Sequence, residues 1–203
     1  YWRDVGNPES YREVYDDILN HKVNFKIHAN EQKFYDGVLY SDEIYELDKS
    51  VEITGTVLLG KNVKIGSGTK IASHTLIEGK TTIGENNQIF SHSTIGSIPQ
   101  DLKFDGEDVE LIIGNNNKIR EYTLFNPGTI GGGSITKIGD NNLFMGYSHV
   151  AHDVIIGNNC IFANVATLAG HVEIADNVVI GGLTPIHQFC KIGSNVMVAG
   201  GSV

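Results

Sequence analysis

From Val51 onward an apolar residue recurs at every sixth position. The series runs Ile53, Leu59, Ile65, Ile71, Ile77, Ile83, Ile89 and Ile95, resumes at Ile113, Ile119 and Phe125, and resumes again at Ile138. The last run, Ile138, Phe144, Val150, Ile156, Phe162, Leu168, Ile174, Ile180, Ile186, Ile192 and Val198, holds the spacing through eleven consecutive positions. A small residue commonly follows each member, as at Gly60, Gly66, Ala72, Gly139, Ala151, Gly157 and Ala163. A period of six fits neither an amphipathic helix nor an alternating hairpin strand, whose periods are 3.6 and 2.0. It predicts an all-β chain wound as a three-sided parallel β-helix. Each six forms one short strand and a corner, with the apolar side chain facing into the prism. Three sixes make an 18-residue coil, and Gly139/Asn141, Gly157/Asn159, Ala175/Asn177 and Gly193/Asn195 repeat at that spacing. Asn and Gly tolerate positive φ, so one corner of each coil is expected to carry them.

Two interruptions break the period and predict loops on one side of the solenoid, at 99–110 and 127–135. The first is polar and the second rich in glycine. A flexible turn is the preferred reading of Gly131, Gly132 and Gly133, because no Lys-bearing helix follows to complete a phosphate cradle. Residues 1–50 stand outside the repeat. Asn7, Pro8 and Glu9 make a good helix start, and Tyr11, Val14, Tyr15, Ile18 and Leu19 share one face, so a helix is expected at about 8–19. Alternation at Val23, Phe25 and Ile27 and the aromatic stretch from Phe34 to Tyr45 predict short strands leading into the first coil, which the helix would cap. Two domains follow: a cap over 1–50 and a β-helix over 51–203.

Composition sharpens this. Glycine contributes 24 of 203 residues, about 12% against a usual 7% or so, and the corners of a six-residue repeat account for the excess. The net charge of −9 argues against non-specific binding to nucleic acid or to an anionic membrane surface, both polyanions. Residues 51–98 alone carry three acids and four bases, so that stretch could still meet an acidic partner. Only two cysteines occur, Cys160 and Cys190, thirty residues or one and two-thirds coils apart. They are expected on different faces as ordinary coil residues, in a reducing compartment. No apolar run approaches the roughly 18 residues of a membrane-spanning helix, which predicts a cytoplasmic protein without stable membrane insertion.

Candidate chemistry gathers at the histidines. His149, His152, His171 and His187 lie within two to three coils. His171 is one coil plus one residue beyond His152, and His187 two coils less one, so the three are predicted to line one side about 5 Å apart in successive layers. Such a row suits either zinc bound by three histidines or general-base catalysis at a hydroxyl nucleophile. Asp153, next to His152, supplies an orienting carboxylate for the second.

The strings HVAHD (149–153), LAGHV (168–172) and HQF (187–189) resemble the acyl-carrier-protein-dependent UDP-N-acetylglucosamine O-acyltransferase family that opens lipid A biosynthesis. So do IGSIPQDLKF (95–104), Ile119-Arg120-Glu121, Pro127-Gly128-Thr129 with its three glycines, Ala163-Asn164 and Gly181-Gly182. The resemblance covers about 51–203 and implies a left-handed β-helix, a homotrimer with sites between subunits, and transfer of a (3R)-hydroxyacyl group from acyl carrier protein to the 3-hydroxyl of UDP-N-acetylglucosamine. It implies no metal and no cofactor. His152 would be the general base, Asp153 its orienting partner, and the Gly170 N–H the oxyanion donor. Gln100, Asp101 and Lys103 would bind the sugar. His149, His171, His187 and Gln188 would line the cleft, and Met197 and Gly200 would limit acyl-chain length, with glycine matching members that take longer chains. No covalent acyl-enzyme is implied, in keeping with the lack of a Ser or Cys beside a base. Plainer roles stand beside these: Asp101 as a turn cap, Lys103 as a solvated lysine, His149 as a hydrogen-bonded wall residue.

Residues 1–11, YWRDVGNPESY, resemble instead the end of the catalytic domain of sugar-nucleotide nucleotidyltransferases of the mannose-1-phosphate guanylyltransferase type, in which the position of Asp4 binds metal. The two resemblances together suggest a chimera, with a junction between about 45 and 75. The second function they offer is a non-catalytic assembly domain of a nucleotidyltransferase; a zinc hydratase is a third. Tyr1 in place of methionine, and an end at Val203 without the C-terminal helical domain of the acyltransferases, suggest a chain cut at both ends.

Overall fold

A computed structural model describes Asp17, residues 30–34 and 36–41, and residues 45–202. Asp17 is helical, while the remainder of the helix expected at 8–19, Asp4 and the strand expected at 23–27 lie outside the described residues. Strands Asn30–Phe34 and Asp36–Ser41 pair as an antiparallel hairpin, and the second lies parallel to Glu52–Leu59, which joins the hairpin to the first coil.

The rest is a left-handed parallel β-helix with three faces. The first face stacks Leu124–Phe125, His149–Val150, Thr167–Leu168 and Pro185–Ile186; the second Ile135–Ile138, Ile155–Ile156, Glu173–Ile174 and Lys191–Ile192; the third Leu143–Phe144, Ile161–Phe162, Val179–Ile180 and Met197–Val198. Pairing already begins at Tyr45–Leu47, which lies parallel to Val63–Ile65. Each strand pairs with the one a coil later, as His149 with Thr167 and Thr167 with Pro185. Thr94 pairs instead with Leu124, and Leu124 with His149, so insertions of twelve and seven residues interrupt the 18-residue register there.

The six-residue apolar series forms the core. Its side chains are almost all buried, and at the centre Phe144 packs edge-on to Phe125 at 4.9 Å and flat against Phe162 at 4.7 Å. Cys160 is buried, its thiol pKa pushed up chiefly by that burial, and Cys190 is exposed in another column, in register with Val172 rather than Val178.

The corners differ from expectation. Asn141, Asn159, Asn177 and Asn195 have positive φ, but so do Tyr147, Val165 and Leu183 at a second corner, and Asp153, His171 and Phe189 at the third. In the regular coils from Asn141 to Phe189 all three corners are left-handed, not one. That conformation costs a non-glycine residue roughly 1–2 kcal/mol. The geometry offsets it, because the corner N–H donates to the coil before: Asn177 to the Asn158 carbonyl at 2.9 Å, Leu183 to Asn164 at 2.9 Å, His171 to His152 at 3.1 Å.

The stacked rings generate a stability prediction. Phe144→Ala leaves a cavity between two other rings and lowers unfolding free energy by about 3–5 kcal/mol, measured by urea denaturation.

Candidate functional site

The corner between the first and second faces gathers half of the predicted residues, and register brings Asp153, His171 and Phe189 into one column there. His171 and Phe189 stack flat with centroids 4.6 Å apart, and the His152 ring meets His171 edge-on at 5.1 Å. Both insertions open beside this corner. Together they enclose a cleft of about 270 Å³ lined by Asp101, Lys103, Phe104, Glu107, Thr129, Ile130, Gly131, His171 and Phe189.

Behind two of its lining residues, His171 and Thr129, lies a histidine–carboxylate pair. The Nδ1 of His152 stands 2.8 Å from Oδ2 of Asp153, whose side chain is 1% exposed. An ionised carboxylate only accepts, so Nδ1 carries the proton and Nε2 presents a lone pair. The His152 ring lies against Gly170: a Cβ there would sit 2.5 Å from Cε1, 2.7 Å from Nε2 and 3.1 Å from Nδ1, so only glycine leaves the ring its place. The Gly170 N–H has no acceptor among the described residues.

Among the described residues, His152, Asp153 and His171 also bring ligand atoms within 4.8 Å of one another, a donor set suited to zinc. The spacing favours the dyad. Oδ2 and Nδ1 are at hydrogen-bond distance from each other, and the same oxygen accepts the Thr129 hydroxyl at 2.6 Å, while His171 Nδ1 stays 3.8 Å away.

His149 points outward from the first face, half-buried, and donates Nδ1–H to the Leu124 carbonyl at 3.0 Å. Burial pushes its pKa below the ordinary value, nearby His152 adds to this, and the Leu124 bond opposes it.

Residues 135–170 match the bacterial transferase hexapeptide (six repeats) family. Over 74 residues the chain is 85% identical to the acyl-[acyl-carrier-protein]–UDP-N-acetylglucosamine O-acyltransferase of Aliarcobacter butzleri, a match covering 36% of this chain and 28% of that protein. A crystal structure of a UDP-N-acetylglucosamine acyltransferase is 50% identical with a TM-score of 0.78, over 78% of this chain and 61% of that one. The Francisella novicida UDP-N-acetylglucosamine acyltransferase is 31% identical with a TM-score of 0.67, over 79% of this chain and 67% of that one. The chain belongs to the UDP-N-acetylglucosamine acyltransferase family. It spans less than two thirds of the length of the Aliarcobacter protein and of the first solved chain.

Within that family assignment, the predicted residues fall into two groups. Asp101, Lys103 and His171 line the cleft, and His152, Asp153 and Gly170 gather beside His171 without lining it. Asp101 also caps its own turn, with Oδ1 accepting the Lys103 N–H at 3.0 Å. Others stand apart. His187 does not continue the histidine row: it shares register with Ala169, two positions before the corner, and lies exposed with Nδ1 3.1 Å from the Gln188 carbonyl oxygen. Phe189 takes the place beside His171 instead. Gln100 and Gln188 are exposed and do not line the cleft. Met197 lies on the third face, and Gly200 beside Gly182 at the corner between the third and first faces.

Sequence reasoning missed Phe189, Phe104, Glu107 and Thr129. Phe189 was within reach, because it is His171 plus one coil. The other three sit in the insertions, where no repeat indexes position. The glycine-rich segment was also misjudged. It is not a free turn: a 3-10 turn at Ile130–Gly132 packs on the dyad, and a Cβ on Gly132 would lie 2.0 Å from the Asp153 Cγ.

The His149 shift predicts a pH dependence. With its folded pKa below about 6.5, the unfolded chain binds the proton more readily, so stability falls as pH drops through that value. Thermal midpoints should therefore decline between pH 7 and 5.5, and His149→Gln should make that decline shallower.

Proposed function

We propose that the chain carries the acyl-transfer centre of a cytoplasmic enzyme that moves a (3R)-hydroxyacyl group from acyl carrier protein to the 3-hydroxyl of UDP-N-acetylglucosamine, the first step of lipid A biosynthesis. The observation that carries this reading is the His152–Asp153 pair beside Gly170, its carboxylate buried and Nε2 without a hydrogen-bond partner among the described residues. A mere assembly domain has no use for a buried carboxylate aimed at a histidine. In the reaction Nε2 takes the proton of the sugar 3-hydroxyl as its oxygen attacks the thioester carbonyl. The Gly170 N–H receives the developing oxyanion. Collapse breaks the C–S bond, and the carrier thiolate leaves with the proton held by His152. His171, Asp101 and Lys103 line the path by which the sugar reaches the base, and no metal or cofactor takes part. His149, His187, Gln188 and Gln100 are further substrate contacts in this reading, and Met197 and Gly200 bound the acyl chain.

One observation supports a homotrimer. The corner between the third and first faces exposes a continuous ring ladder, His74, His92, Tyr122 and Tyr147, with centroids 4.8–5.0 Å apart. Val165 and Leu183 extend it and Ile161 and Met197 flank it, all exposed. A stripe of that kind marks an interface. No described helix is long and apolar enough to cross a membrane, in keeping with a cytoplasmic enzyme.

The test is product formation from hydroxyacyl carrier protein and UDP-N-acetylglucosamine, with this chain and with a version extended by the C-terminal region of its relatives. His152→Ala should reduce the rate by about 10²–10⁴-fold while leaving the circular dichroism spectrum unchanged. Undiminished transfer in the variant, or no product from either parent form, overturns the assignment.

A further inference from the structure

We propose that Thr129 is a positioning residue for the base: its hydroxyl fixes which Asp153 oxygen faces His152 and holds the carboxylate against rotation. The inference rests on the His152 reading but is anchored in a separate element, the glycine-rich insertion. Thr129 grips both carboxylate oxygens. Its backbone N–H donates to Oδ1 at 2.8 Å and its hydroxyl to Oδ2 at 2.6 Å. Oδ2 is the atom that accepts the His152 Nδ1–H, so hydroxyl and imidazole converge on one oxygen from different sides. Gly132 closes the third side, where any Cβ would overlap the carboxylate carbon. The Asp153 backbone is pinned separately, its N–H donating to the Thr136 hydroxyl at 2.8 Å.

Thr129 itself is 6% exposed, and its N–H and hydroxyl both serve Asp153, not the substrate. A buried carboxylate without its full set of donors either takes up a proton or turns toward whatever donor remains. With the Thr129 hydroxyl gone, the 3.8 Å gap to His171 Nδ1 offers such an alternative, and rotation toward it would release His152 from the orientation and tautomer that leave Nε2 basic. The loss would fall on the chemical step and leave sugar binding alone, because Asp101 and Lys103 sit on the other insertion.

Two readouts test this. The first needs no turnover: the downfield proton resonance of the His152 Nδ1–H should shift or broaden away in Thr129→Val, which keeps the shape and the backbone N–H, and persist in Thr129→Ser. The second is kinetic. Thr129→Val should lower kcat about 10- to 100-fold, the usual worth of a hydrogen bond to a charged group, with KM for the sugar nucleotide within about twofold, and Thr129→Ser should restore kcat. A Thr129→Val protein with the parent's resonance and kcat overturns the proposal, as does a Ser variant no better than Val, which would assign the effect to packing. Altered resonance in a chain whose transfer survives His152→Ala would sustain the clamp and overturn the catalytic reading instead.

Discussion

Coil register governs this molecule. Outside the two insertions each residue stacks on the one 18 positions earlier, and left-handed corners are held by an N–H donated down to the preceding coil, as His171 donates to His152 and Phe189 to Gly170. Once that stacking is set, side chains distant in sequence are fixed about 5 Å apart with little freedom left to any of them. The candidate site uses this directly. Asp153, His171 and Phe189 occupy one corner column, His152 and Gly170 the positions just before it, so base, carboxylate and candidate oxyanion donor are set by backbone geometry before any side chain chooses a rotamer. A rigid scaffold of this kind suits a reaction that needs fixed donors around a developing charge.

The same rule explains what was legible in the sequence. Apolar residues every sixth position gave the fold, since no other architecture buries that period, and the pairing of His152 with His171 followed from one coil plus one residue. Failure came from the same arithmetic applied loosely. His187 is also near a multiple of 18 from His152, but a corner turns sharply within two residues, and being two positions short of Phe189 puts it on the strand side of the turn, away from His171. The corners themselves were underestimated because Asn and Gly advertise positive φ, whereas Tyr147, Val165 and Leu183 adopt it under compulsion from the stacking.

The insertions were the illegible part, for a physical reason. A residue in the repeat has its neighbours indexed by the period, while a residue in a loop finds them only through the fold. The two loops also work differently. The segment at 99–110 is largely solvent-facing: Leu102 is fully exposed, and Asp101 is occupied partly in holding its own turn. The segment at 127–135 is drawn inward, with Pro127, Gly128 and Thr129 buried. Its glycines read as flexibility in sequence, yet Gly132 is there because a carboxylate fills the space a side chain would need.

That carboxylate poses the main energetic problem of the fold. An Asp side chain 1% exposed, at a strained corner and among apolar coils, would be costly if left with an unpaired charge. Three donors meet it: the Thr129 N–H, the Thr129 hydroxyl and the His152 imidazole. Two of the three come from an insertion that interrupts an otherwise regular solenoid and so disturbs its packing. A plain coil at this height would place a short corner there, as at Val165 or Asn177, with no N–H and hydroxyl directed inward together. The irregular loop is therefore best understood as the structural condition for a buried carboxylate at this corner, and through it for a histidine held by its Nδ1 against Gly170.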